Sequence, residues 1–350
     1  MAWMIGWKQV LAAAIMSVSA VAVAPAQDEP AEASAIYLYQ GADRDQRLLA
    51  GGRREGTLVL YTSLATTEAV PLIGAFERKY GVKVQLWRAL SENILQRTIA
   101  EARARRHSVD VIETNSPEVE ALAREGLIGE FSNPHVADLH PWALPPHRLW
   151  IGDRVDLRVA AFNTGKVRRD EIPATYEGFL DPAWKGRIAV EAADDEWLGA
   201  VMKYWGEDRG TAFVRRLAAL KPDVRKGHVL IAQLVAVGEV TVALTAYSGN
   251  AESIKRKGGP VDWAPVEPLV GRLQAIALAR QAPHPHAALL FADFLLSPEG
   301  MQLLQEMSRV PTSRAMPTPL DTTKYVLVDP AQPREEAVKW QRIWKELFLK

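Results

Sequence analysis

The sequence predicts an α/β protein of two lobes. Short apolar, β-favouring runs alternate with amphipathic helical segments through most of the chain. Its 350 residues suffice for two ordinary domains. No Gly-, Pro- or Ser-rich linker divides it, so two lobes imply a chain that crosses between them more than once.

The first half sets the pattern. Asp43–Arg54 reads as a surface helix carrying Leu48, Leu49 and many charges. Thr57–Tyr61 is a buried strand. Thr66 and Thr67 are candidate caps for a helix with Ala69, Ile73, Phe76 and Tyr80 on one face, closed by Gly81. Val82–Trp87 alternates as a strand. Ser91 caps a helix with Leu95, Ile99 and Ala102 as its apolar stripe. Asp110–Glu113 is the next strand, and Ser116-Pro117 opens a helix that ends at Gly126. Strand–helix alternation of this kind predicts a mainly parallel sheet with helices on both faces.

A second set follows. Strands are expected at Arg158–Phe162, Gly186–Glu191 and Val240–Thr245. Helices are expected at Asp195–Trp205, Thr211–Leu220, Val229–Val237, His286–Leu296, Pro298–Ser308 and Lys339–Leu349. Ser297-Pro298-Glu299 repeats the cap-proline signature. His284-Pro285-His286 is spaced wrongly for a helical metal pair, and opens a helix expected at the surface. Trp197 and Trp205 are expected in the core, with stacking on a ligand as the alternative.

Composition removes several functions. With no cysteine, disulfide scaffolds, thiolate metal sites, thiol catalysis and a lipid anchor on cysteine are excluded. The 42 basic residues balance 42 acidic ones, which argues against a nucleic-acid partner. No Gly-x-Ser-x-Gly, Ser-x-x-Lys, His-Glu-x-x-His or phosphate-binding Gly-Lys-Ser/Thr loop is present, so an enzyme is not expected. Lys8 precedes an apolar run, Val10–Ala24, that is too short to span a bilayer and ends in Ala24-Pro25-Ala26. This is the pattern of a secretory signal over residues 1–26.

Six ordered stretches carry a family resemblance: Leu58–Ser63, Phe76–Val84, Ser108–Thr114, Ala161–Thr164, Leu180–Gly186 and Gly238–Leu244. The run Ala287–Gly300 extends it. Together they resemble the periplasmic solute-binding proteins of ABC transporters, nearest the ferric-ion-binding branch. The resemblance implies the two-lobed periplasmic-binding-protein fold, with two mixed sheets flanked by helices and joined by two crossover strands. The crossovers are expected near Phe162–Thr164 and Val261–Val266. Residues 27–162 and 267–350 would then form lobe 1, and residues 163–266 lobe 2. The implied function is capture of a small solute by hinge closure and delivery to an ABC permease in the inner membrane. A periplasmic monomer without a lipid anchor is expected. A sensory or scaffold protein signalling to a membrane partner is the alternative.

In open α/β sheets, ligands bind beyond the carboxyl ends of strands, where helix N-termini offer free N–H groups. The candidate ligand-binding residues are therefore Thr62, Ser63, Arg88, Glu113, Asn115, Asp195, His228 and Tyr247. In ferric-binding relatives the resemblance implies a His in the first loop, a Glu in the third and a Tyr pair after the last lobe-two strand. Those positions fall near Ala65, Asn115, Ser248 and Gly249 here, so the pattern is broken. Tyr247 and Glu113 stand close by and are the candidate metal ligands, with Fe(III) as a transported ligand and no resident cofactor expected. Fe(III) is hard and takes oxygen donors. Asp194-Asp195-Glu196 would favour a cation or an amine, or simply cap the helix they open. Arg88 would favour a carboxylate or phosphonate.

Overall fold

The computed structural model describes residue 33 and residues 35–349; the expected signal segment lies outside the described residues. The first half runs α1 (Arg44–Glu55), β1 (Thr57–Thr62), α2 (Thr66–Tyr80), β2 (Lys83–Arg88), α3 (Ser91–Arg103), β3 (Val111–Asn115), α4 (Ser116–Arg124) and β4 (Ile128–Gly129). Next come β5 (Ile151–Asn163), β6 (Ile188–Glu191), α5 (Asp195–Trp205), α6 (Glu207–Ala219), β7 (Asp223–Arg225), α7 (His228–Ala236), β8 (Val242–Tyr247) and α8 (Ser248–Arg256). The chain ends with β9 (Val261–Ala264), β10 (Leu269–Ala279), α9 (Pro285–Leu296), α10 (Pro298–Glu306), β11 (Val310–Pro311), β12 (Tyr325–Leu327) and α11 (Arg334–Phe348).

The sheet is mixed and follows the order β2-β1-β3-β10-β5-β8-β6-β7. β1 is parallel to β2 and β3, and β6 is parallel to β7 and β8. Two mixed sheets are expected from the sequence; here the two parallel groups belong to one 12-stranded mixed sheet. They are hydrogen-bonded into one path by β5 and β10, which run antiparallel to each other. β5 pairs with β10 as far as Arg158, shifts register between Val159 and Ala161, and pairs with β8 and β9 over its final residues. Both are long strands, of 13 and 11 residues, where the sequence marked only Arg158–Phe162 within β5 and nothing over β10; the segment expected as the second crossover, Val261–Val266, holds β9 instead. Asp153, Arg154, Asp156, Arg158, Arg272 and Gln274 interrupt the apolar runs, and they hid both strands.

Two large hydrophobic cores flank the long strands, with a smaller third cluster around Ile231, Val235 and Ala243 of α7 and β8. One gathers Leu58, Leu60, Phe76, Val111, Phe291 and Phe294 around β1–β3. The other gathers Tyr176, Trp197, Phe213, Val242 and Leu244 around β6 and β8. The C-terminal α11 joins the second core through Trp340, Trp344 and Phe348.

Several local expectations change. Thr66 and Thr67 are the first helical residues of α2; extended Ala65 is its N-cap, and Thr62 Oγ1 accepts from Leu64 N at 3.0 Å. Ser91 likewise sits inside α3 and accepts from Thr114 Oγ1 at 2.7 Å. Ser297 does cap α10, accepting from Gly300 N. The helix opened by His284-Pro285-His286 is not at the surface: in α9 only His286 and Asp293 keep partial exposure. Each histidine is anchored to an acid, His284 to Asp110 at 2.9 Å and His286 to Glu55 at 2.7 Å. Nor is α1 a bare surface helix. It buries Leu48, Gly51 and Gly52. A Cβ on Gly51 would lie 2.3 Å from the His286 ring, so glycine there lets α9 approach.

Candidate functional site

β1, β3, β6 and β8 each deliver their carboxyl end to a helix start: α2, α4, α5 and α8 respectively. The crossing strands add side chains to this region. Alternation puts Arg154, Asp156 and Arg158 on one face of β5. The register sets Arg272 opposite Asp156 and Gln274 opposite Arg154, so β10 adds both to the same face.

Buried ion pairs organise that face. Arg154 donates to Glu113 at 2.5 Å and to Asp153 at 2.7 Å. Arg158 holds Asp194 and Glu196, each at 3.1 Å. Glu196 also accepts from Arg272 at 3.0 Å. Gln274 Nε2 donates to Asp156 at 2.8 Å and to Asn115 at 2.9 Å. Arg309 ties Glu68 of α2 to Asp156, at 2.7 and 3.4 Å.

Tyr247 lies at the centre of the cations. The Arg158 and Arg272 guanidinium carbons are 5.4 and 5.6 Å from its ring centroid, and the His228 ring stacks on it at 3.8 Å. Burial pushes the phenol above its ordinary value, outweighing the two guanidiniums. Burial, reinforced by Arg158, lowers His228 to about 3, so its imidazole is neutral. Burial raises Asp195 to about 6. Glu118 is also raised by burial, against the pull of Arg272.

The expected site residues divide into two groups, with Arg88 outside both. Tyr247, His228, Asp195 and Asn115 sit with the charged face or its neighbours. Thr62, Glu113 and Ser63 form a structural knot: Glu113 is buried, its two carboxylate oxygens take Thr62 and Arg154, and Ser63 N donates to the Glu113 backbone oxygen at 3.1 Å. Arg88 is exposed and donates to Leu64 O at 3.2 Å. Asp194 stands at the N-cap position of α5 without capping it, because its carboxylate turns to Arg158.

Arg154, Asp156, Arg158, Arg272, Gln274, Glu118 and Arg309 were missed. A signal existed: in Arg154-Val155-Asp156-Leu157-Arg158 a charge recurs every second residue within a β-favouring stretch, which aligns charges on one strand face. Among the polar atoms buried here without a partner are Arg158 Nη1, Arg272 Nε, Gln274 Oε1, Glu118 Oε2, Arg154 Nε, Asp194 Oδ2 and His228 Nδ1. Buried polar groups are ordinarily paired, so such orphans point to a ligand or ordered water.

Two cores bridged by long strands, with paired charges gathered at the strand ends, are the architecture of a two-lobed solute-binding protein. The chain belongs to the bacterial extracellular solute-binding protein family, whose model matches residues 108–341. It is 25% identical over 272 residues to iron uptake protein A1 of Synechocystis, covering 71% of this chain and 73% of that protein. It is 23% identical over 188 residues to the Fe(3+)-binding periplasmic protein of Serratia marcescens, covering 52% of this chain and 54% of that one. Iron-bound HitA from Pseudomonas aeruginosa shares the fold with a TM-score of 0.71 and 24% identity, over 82% of this chain and 99% of HitA. AfuA from Actinobacillus pleuropneumoniae, with bound fructose-6-phosphate, gives 0.69 and 21%, over 84% and 99%. The Trichodesmium protein in complex with iron and citrate ligands gives 0.65 and 18%, over 84% and 98%. These relatives are binding proteins, not enzymes.

Proposed function

We propose that this chain is the periplasmic ligand-capturing component of an ABC importer and carries ferric iron together with an oxyanion. In this reading, lobe 1 is built on β1–β3 and lobe 2 on β6–β8, with β5 and β10 as the hinge. The monomer closes on its cargo and docks on a membrane permease. The observation that carries the cargo is the position of Tyr247 between Arg158 and Arg272, each keeping an unpartnered N–H. A single phenolate is too few donors for Fe(III), a hard cation that takes oxygen ligands. A carboxylate or phosphate held by the two guanidiniums would supply the rest while satisfying them. The iron-binding relatives support the metal, and closure would strengthen each polar contact by excluding water.

Titration of the purified protein with ferric citrate, followed by visible absorbance and small-angle scattering, tests this reading. The expected result is a Tyr247-to-iron charge-transfer colour that Tyr247→Phe abolishes, with a smaller radius of gyration on loading. A protein that stays colourless and open sinks it. The unpartnered guanidiniums also favour a second reading, capture of an oxyanion solute without metal. That reading wins if sugar phosphates or dicarboxylates raise Tm and iron does not.

A further inference from the structure

Beyond the importer reading, a second cluster borders Tyr247 and shares Asp194 and His228 with the charged face. Glu191 ends β6, Asp194 precedes α5 and His228 opens α7. One donor atom from each lies within 4.8 Å of the other two. The Asp194 side chain is fully buried, yet its Oδ2 has no partner, and neither has Nδ1 of His228. His228 Nε2 is 3.7 Å from Asp194 Oδ1, too far for a hydrogen bond. A fully buried carboxylate and a partly buried imidazole beside it thus each keep a buried atom unused, which ordinary packing avoids.

We propose that Glu191, Asp194 and His228 form a binding site for a divalent cation of the zinc or manganese class. Two carboxylates and one imidazole suit such ions, whereas a softer ion would call for thiolate. Glu191 is already oriented: its oxygens accept from Ala193 N at 2.5 Å and Gly227 N at 2.7 Å, and each keeps a further lone pair. Arg158 offsets one carboxylate charge through Asp194 Oδ1, which leaves the cluster net negative. Metal–ligand bonds of about 2.0–2.2 Å require the donors to close by small side-chain rotations. The His228 side chain is 17% exposed, which opens a route for the ion and a position for water. All three ligands lie between residues 188 and 236, so the site needs no hinge closure. Its effect would be to tie the loop after β6 to the start of α7.

The test is equilibrium dialysis of the chelator-treated full protein against Zn²⁺ or Mn²⁺ alone. One equivalent should bind, with an unchanged radius of gyration. His228→Gln and Glu191→Gln should each weaken binding by about tenfold or more, while Tyr247→Phe leaves it intact. Co²⁺ should bind with d–d bands that His228→Gln alters. Asp194→Asn is the weaker variant, because it also releases Arg158, and circular dichroism must show that it folds. Absence of stoichiometric binding by either metal, or binding undiminished in both His228→Gln and Glu191→Gln, overturns the proposal. Loss of binding in Tyr247→Phe, or compaction on adding the metal, would assign the ion to the cargo position and equally overturn it. The cargo reading fails separately, through ferric colour and closure.

Discussion

Glu196 in the first turn of α5 accepts from Arg158 of β5 at 3.1 Å, and the same Oε2 accepts from Arg272 of β10 at 3.0 Å. One carboxylate oxygen thus screens two guanidiniums from crossing strands, across the site. Glu196→Gln removes that screen and leaves two cations facing each other. The expected cost is about 1–3 kcal/mol in urea unfolding, the order for a buried charged group losing its partner. Inorganic phosphate should raise Tm more in Glu196→Gln than in the native protein, since an anion can replace the lost charge. An equal phosphate effect in both would count against an anion position between the two arginines.

The knot at Arg154 makes a separate prediction. Its side chain is 4% exposed and joins Glu113 and Asp153, which are 2% and 0% exposed. Arg154→Met would strand two buried carboxyl groups, at a cost of about 3–5 kcal/mol. Adding Glu113→Gln to Arg154→Met should recover part of that loss, because one stranded charge is gone. A double-mutant cycle by chemical denaturation measures the coupling. Strictly additive losses would mean that the pair does not act as a unit.

The alternating elements of the first half were legible because their strands read as short apolar or alternating runs and their helices carry apolar stripes. β5 and β10 were not, because their inner faces carry arginine, aspartate and glutamine that a periodicity reading takes for loop. The same residues build the charged face, so what hid the strands also hid the site. Tyr247 and His228 could be found from their place at a strand end and a helix start. Arg158 and Arg272 needed the register, which brings residues 114 apart in sequence into contact with one carboxylate. Asp194 was readable as a helix cap by position alone; only the packing of Arg158 against it turned the side chain away.

The C-terminal helix should prove necessary to the second core. Trp344 is 1% exposed, meets Trp197 edge-on at 5.9 Å and donates to Ala192 O at 3.0 Å. Ala192 follows Glu191 at the end of β6 and opens the loop that carries Asp194, so α11 supports that loop. Trp344→Ala should cost about 3–5 kcal/mol, the range for a buried large aromatic. Trp344→Phe should cost less, because it keeps an aromatic ring in contact and loses the hydrogen bond and only part of the buried surface. Urea unfolding followed by Trp fluorescence would check both, and a cost for Trp344→Ala below about 1 kcal/mol would show that the helix only lies on the surface.

His284 gives the fold a pH dependence with a defined sign. Its ring nitrogen pairs with Asp110 at 2.9 Å, and Asp110 also accepts from the backbone N–H groups of His284 and Val59, each at 2.7 Å. The hydrogen bond to Asp110 raises the imidazole above its ordinary 6.5, partly offset by burial. A histidine raised in the folded state binds its proton more tightly there than when unfolded. Its stabilising contribution is therefore complete below about pH 6.5 and fades as pH rises through the higher folded value. His284→Gln keeps a donor for Asp110 but cannot titrate. The native protein should lose Tm relative to His284→Gln as pH is raised from 6 to about 8.5. Melting curves at low salt would check the difference, and parallel profiles would remove His284 from the pH response.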